Sequence, residues 1–288
     1  MDNKDIKAED LVWIFGTGRS GSTWLASMMG ESAGGRLWNE PLVGKLFGEF
    51  YDDMLPRSRG RDTFIMAEAN REAWLEGIRH LVLNVAESVC PEAARESYLV
   101  VKEPNGSMGA PLLMEALPES RMVLLVRDPR DMAASALDRH RKGAEAYEHA
   151  ANYSPRRKEA LAKNPPDNRP GAFIKRQAHR YLRNVGSSKQ AYEAHKGHKV
   201  LTRYEELRAN PLDTMRHIYA ELQLPVDEEQ LAGVVEKHSW ENIPDEEKGP
   251  GKFNRKATPG GWREDLTPRQ IEMVEKITAP LLEEFYPT

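Results

Sequence analysis

Five apolar residues, Leu11 to Phe15, stop at Gly16 and give way to a loop with glycines at 16, 18 and 21, after which a helical pattern begins at Ser22. A buried strand, a glycine-rich turn and a helix in that order leave few options. Glycines let successive backbone N–H groups turn inward without Cβ clashes, and the helix that follows adds its free N–H groups and the positive end of its dipole. Ser22 and Thr23 place hydroxyls at the helix start, while Trp24, Leu25, Met28 and Met29 form one apolar face to lie against a sheet. The stretch predicts an α/β fold with an anion site for phosphate or sulfate.

The spacing Gly16-x4-Gly21 is that of a P-loop, but Ser22 stands where the lysine that grips β- and γ-phosphates belongs. Arg19 is the only cation within the turn. The later apolar runs end in Lys102, Arg127 and Thr202 rather than in an acidic magnesium ligand. A metal-bound nucleoside triphosphate is disfavoured, and no metal site is expected.

The string Gly18-Arg19-Ser20-Gly21-Ser22-Thr23-Trp24 resembles the 5′-phosphosulfate loop of sulfotransferases that use 3′-phosphoadenylyl sulfate (PAPS). The resemblance continues in order along the chain. Arg127, ending the run Arg121–Val126, and Ser135, eight residues later, are similar to the family's 3′-phosphate pocket. Arg203-Tyr204-Glu-Glu-Leu207 resembles a segment whose tyrosine approaches the nucleotide. Ser239 and Trp240 stand where the family borders the adenine, and Trp24 and Trp240 each offer a platform for a base. Arg255-Lys256-Ala257, before Gly260-Gly261-Trp262, resembles the cationic element that closes over the 3′-phosphate, with alanine in place of the family's glycine. The resemblance implies a P-loop-like α/β domain with a mainly parallel sheet, PAPS as donor, and 3′-phosphoadenosine 5′-phosphate (PAP) as product. It implies transfer of a sulfuryl group, without a metal, to a hydroxyl or amine of a small-molecule or carrier-bound acceptor; the alternatives are a P-loop small-molecule kinase using magnesium ATP and a catalytically inactive nucleotide-binding scaffold.

The base that takes the acceptor proton stays open among several residues. Glu40, in Glu40-Pro41-Leu42, matches the early glutamate of carbohydrate-type and several bacterial sulfotransferases, and the following proline predicts extended backbone for it. Lys102 and Glu103 end the run Tyr98–Lys102, where doubly wound sheets place their ligands. The phenol and steroid branch has a histidine base in this segment, but here the residues read Lys102-Glu103-Pro104. His140, His149 and His179 are further candidates.

The 288 residues carry no linker-like tract, and a single domain is expected. A net charge of −4 argues against broad contact with a nucleic-acid backbone. One cysteine, Cys90, precludes an internal disulfide and reads as a buried, inert thiol on the apolar side of a helix. The polar start and the lack of any apolar run near the ~18 residues of a membrane span predict a cytoplasmic protein.

Three further segments carry expectations. Trp74, Ile78, Leu81, Val82, Val85 and Val89 predict a core helix over 71–90. Residues 45–69, with aromatics among Arg57, Arg59 and Arg61, show no clean period and read as a lid or an irregular excursion. Residues 138–176, basic and proline-rich, read as a solvated face or an acceptor-binding insertion.

Overall fold

In a computed structural model, residues 6–58, 63–90, 98–145, 147–148, 159 and 170–287 are described. The chain divides into two compact units, Met1–Val126 with Arg183–Glu236, and Arg127–Leu182 with Lys237–Thr288. The core of the predicted insertion, including His149, Arg156, Lys158 and residues 160–169, lies outside the described residues, as do Arg59 and Arg61.

The first unit is built on a five-stranded, all-parallel sheet: β1 (Leu11–Phe15), β2 (Gly35–Asn39), β3 (Tyr98–Lys102), β4 (Arg121–Val126) and β5 (Lys199–Arg203). Its order is β2-β3-β1-β4-β5. Every residue of β1 and β3 is buried, as expected of central strands covered on both faces. The edge strand β5 buries only Val200 and Thr202, in alternation.

Register aligns the carboxyl ends of three strands. Ile14 and Asn39 both pair with Lys102, the Glu40 N–H continues the ladder to the Lys102 carbonyl at 2.9 Å, and the Glu103 N–H reaches the Ile14 carbonyl at 3.0 Å. The glycine loop after β1, Glu40 after β2 and Lys102-Glu103 at the end of β3 therefore share one edge of the sheet. Open α/β sheets bind ligands at that edge.

Helix α1 (Ser22–Glu31) packs Leu25, Ala26, Met28 and Met29 into the core with Val12, Ile14 and Val100, as its apolar face predicts, and Trp24 lies partly buried against the same cluster. Residues 45–69, expected to be a lid or an irregular excursion, begin within helix α2 (Val43–Ser58). Its apolar period is interrupted because glycine occupies contact positions: a Cβ on Gly48 would stand 2.5 Å from the Gly109 Cα. Close backbone approach, rather than side-chain interlocking, seats this helix.

Helix α3 (Arg71–Val89) forms as expected, but its buried stripe is Trp74, Ile78, Val82 and Ala86. Leu81, Val85 and Val89, predicted to be core, are 43%, 37% and 56% exposed. They lie one residue, about 100°, off a strict four-residue stripe. Cys90, expected to be buried, is half-buried at the end of this helix, where burial raises its thiol pKa. Short helix α4 (Ala110–Ala116) precedes β4.

The second unit opens with α5 (Pro129–His140). The Asp128 carboxylate accepts from the Arg130 N–H as N-cap and Pro129 takes the first helical position. Helix α6 (Pro170–Ala194) begins in this unit and ends in the first. Helices α7 (Tyr204–Ala209), α8 (Pro211–Glu221) and α9 (Glu228–Lys237) follow, and α10 (Trp262–Asp265) and α11 (Pro268–Phe285) complete the chain. Ala133, Ala134, Ile174, Ala178, Trp262, Leu266 and Val274 make the second unit's cluster. No helix among the described residues is long and apolar enough to cross a membrane.

Candidate active site

In the first unit the loop turns at Arg19, whose φ of 75° is left-handed, and at Gly21, whose φ is 89°. Gly21 has a second constraint, since a Cβ there would meet the Tyr204 ring at 2.5 Å. Tyr204 is thus a floor under the loop, buried to 6% exposure and edge-on to Trp24 at 6.5 Å. The Ser20 N–H closes the turn on the Thr17 carbonyl at 3.2 Å. Ser20 Oγ is buried and hydrogen-bonds to none of the described residues. An unsatisfied buried hydroxyl costs free energy, and one in a glycine-rich turn just ahead of a helix N-terminus suits an anion.

Lys102 joins the loop helix to Glu40. Its ammonium donates to Thr23 Oγ1 at 2.9 Å and pairs with Glu40 Oε1 at 2.9 Å, with its side chain only 4% exposed. Asn105 Nδ2 donates to the other Glu40 oxygen at 2.9 Å, and Asn105 Oδ1 lies 3.4 Å from where a Gly18 Cβ would stand. Glu40 is held from two sides yet keeps 34% of its side chain exposed. Its backbone is not extended, as Glu-Pro predicts, but left-handed at φ 50°. The ladder bond to Lys102 and the pinning of Leu42 described next hold it there at a cost on the order of 1–3 kcal/mol.

Glu103, the rival carboxylate, sits in a different environment. It is fully buried, and the Leu42 N–H donates to Glu103 Oε2 at 2.9 Å, just ahead of α2. Burial pushes its pKa up to about 7, opposed by the Leu42 and Gly44 amides, raised further by the Glu40 charge and opposed again by the Lys45 amide. A carboxylate facing the first amides of a helix is its cap. Because the folded pKa is raised from 4.5, Glu103 contributes stability fully below pH 4.5 and loses it as pH rises through about 7. That contribution is about 3 kcal/mol. Chemical denaturation at pH 5 and pH 8 will show Glu103→Gln lacking this part of the parent's fall in stability; an equal fall in both would assign it to other groups.

The second unit gathers the remaining predicted residues. Ser135 is buried on α5, about two turns in. Arg255 lies within electrostatic reach of Arg127 and Arg141 as well as Asp138 and Asp131. Burial is the main cause that lowers the Arg255 guanidinium below its usual pKa; Asp138 opposes, and Arg127 lowers it further. Arg255 also pairs with Asp265, and Lys256 with Asp265 at 3.1 Å and Glu264 at 3.2 Å. Ala257 takes a left-handed φ of 50°, the geometry for which glycine is the natural choice.

Asp131 anchors the loop that follows, accepting from the Gly260 N–H at 2.6 Å and the Trp262 N–H at 2.9 Å. Trp240 lies in a single short turn with the Lys248 ammonium 5.5 Å from its ring centre, and Ser239 Oγ is buried without a hydrogen bond to a described residue. His140 Nδ1 is engaged with the Ala136 carbonyl at 2.8 Å and its ring packs on Phe173, a structural setting.

Sequence reasoning missed Asn105 and Asp131. Asn105 lies two residues past Glu103, a strand-end position that was a signal. Asp131, two residues after Pro129, carries no sequence pattern that points to the loop it anchors.

The sequence matches the sulfotransferase family over residues 12–228, and the chain belongs to that family. No curated protein matches it. Solved structures with a similar fold include mouse sulfotransferase SULT7A1 complexed with PAP, at TM-score 0.54 and 15% identity over 98% of this chain and 87% of that one. Sulfotransferase STF9 from Mycobacterium avium is similar at TM-score 0.58 and 14% identity, covering 98% and 78%. A sulfotransferase domain of the curacin biosynthetic pathway is similar at TM-score 0.50 and 14% identity, covering 94% and 96%.

Proposed function

We propose that this chain transfers a sulfuryl group from PAPS to an acceptor hydroxyl or amine, with Glu40 as the base. The observation that carries the choice of donor is the placing of Arg127 and Arg255 within electrostatic reach in the unit that also holds Ser135. Two guanidinium groups brought near each other, one of them mostly buried, are stabilised by an anion between them, and a 3′-phosphate is the group that distinguishes PAPS from ATP.

The loop fits the other end of the nucleotide. The loop amides, the orphaned Ser20 hydroxyl, Ser22 and Thr23 would hold the 5′-phosphate, with Trp24 and Tyr204 beside the loop. Lys256 and the Ala257 N–H would complete the 3′-phosphate contacts after Lys256 exchanges its carboxylate partners.

In the reaction the acceptor oxygen attacks sulfur in line as the bond from sulfur to the bridging oxygen breaks. The acceptor proton passes to the Glu40 carboxylate, and PAP leaves with the bridging electron pair. Sulfuryl transfer resembles phosphoryl transfer through a loose transition state, in which positioning and charge stabilisation do most of the work. Arg19 and the loop amides would balance the charge growing on the bridging oxygen, and Lys102 would link that charge to the base through Thr23 and Glu40.

A thermal-shift comparison tests the donor. PAP at a hundredfold excess over its Kd will add about 2.7 kcal/mol, several degrees in a protein of this size. ADP and magnesium ATP will add much less. Equal stabilisation by ADP would remove the 3′-phosphate pocket, and a larger magnesium-dependent effect of ATP would point to a kinase.

A further inference from the structure

The outward face of α2 is apolar where a helix surface is normally polar. Leu42, Leu46 and Phe50, four residues apart, are 42%, 61% and 43% exposed, and they line a groove of about 460 Å³ with Lys45, Glu49 and Asp53. Phe64 packs against Phe50 at 5.9 Å between ring centres and extends the apolar surface. Leu42 immediately precedes α2, and Leu46 and Phe50 follow one and two turns on; at about 1.5 Å of rise per residue the three span about 12 Å.

The stripe has an inner end. Leu42 is the residue whose amide Glu103 holds, and it lies two positions from Glu40, within about 7 Å along the chain. Its left-handed φ of 60° is part of the same fixed turn as Glu40. The turn that sets the candidate base therefore also sets the start of the groove. Among the charged lining groups two are acids and one is a lysine, and Glu49 is already paired with Lys45 at 3.9 Å and Arg183 at 3.7 Å. The lining has a negative excess and no surplus cation for an anionic acceptor.

We infer that the acceptor is an uncharged alcohol with an elongated apolar body, which lies along α2 on Leu42, Leu46 and Phe50 and presents its terminal hydroxyl to Glu40. The inference rests on the sulfuryl-transfer reading and narrows it to one acceptor class. A 12 Å stripe suits a chain of roughly ten carbons. Full burial of one methylene corresponds to about fourfold in affinity, and an open groove covering one side of the chain to about twofold.

The test uses the full chain with PAPS and the straight-chain series from 1-butanol to 1-decanol, beside glucosamine and tyrosine methyl ester. Calorimetry of 1-decanol binding to the PAP-loaded protein is run in parallel. Apparent kcat/KM should rise roughly 50-fold from butanol to decanol, and decanol should bind. Leu46→Asn and Phe50→Ala should each flatten the series and weaken decanol at least tenfold while leaving the thermal shift by PAP unchanged. A flat series, preference for glucosamine or the tyrosine ester, or undiminished decanol binding by both variants would overturn the acceptor assignment while leaving PAP binding, and the donor reading, intact. Loss of PAP stabilisation in the parent protein would instead overturn the donor reading, and the acceptor assignment with it.

Discussion

Glu40→Gln lowers kcat by roughly 10²- to 10⁴-fold, the range for removal of a positioned general base. Affinity for PAP stays where it was. The substitution is nearly isosteric and keeps an oxygen to accept from Asn105, so the turn after β2 survives. What it removes is the negative partner of Lys102 and the capacity to take the acceptor proton. Glu103→Gln is the matched control, because that carboxyl is buried against the first amides of α2 and a glutamine oxygen can still accept from Leu42. Its kcat stays near the parent's, and its effect shows in the pH dependence of stability. A steady-state assay with one acceptor, paired with PAP titration of each variant, checks both. The larger loss in Glu103→Gln would exchange the two roles, and equal, mild losses would take the base away from both carboxylates.

The sequence made the sheet legible because its central strands are unbroken apolar runs, and runs such as Leu11–Phe15 and Arg121–Val126 have no other stable use in a domain of this composition. The glycine loop was legible for the same local reason, its conformation being written in three glycines and the helix after them. Helix α2 was not, because Gly48 serves a close contact with Gly109 that no periodicity encodes. The exposed apolar face of the same helix blurred the pattern further.

Similar limits apply to the site. Glu40, Lys102 and Glu103 were visible as strand-end polar residues, but their division of labour depends on long-range contacts. Lys102 finds Thr23 and Glu40, whereas Glu103 finds the amides of α2, and adjacent positions in the sequence give no hint of this. Likewise, the spacing from Arg127 to Ser135 was readable, while the approach of Arg255 to Arg127 and the anchoring of Gly260 and Trp262 by Asp131 belong to the tertiary structure.

Arg127→Ala removes the preference for a 3′-phosphate. The expected result in the parent protein is tighter binding of PAP than of ADP, the difference reporting the proposed 3′-phosphate contacts. Hydrogen bonds to charged groups contribute about 1.5–3 kcal/mol each, so losing one such contact costs roughly 10- to 150-fold in PAP affinity. ADP affinity changes little, because the 5′ end is assigned to the loop around Arg19 and Ser20. The fold tolerates the change, since Asp128 caps α5 through the Arg130 N–H and pairs with the Arg130 side chain at 2.8 Å. Arg255 gains from it electrostatically, being relieved of a neighbouring positive charge, so a loss of PAP binding cannot be assigned to a weakened Arg255. Calorimetric titration of parent and variant with both nucleotides, at fixed ionic strength, reads the effect directly. Parallel losses for PAP and ADP would mean that Arg127 supports the whole nucleotide, and an undiminished PAP preference would remove it from the 3′-phosphate pocket.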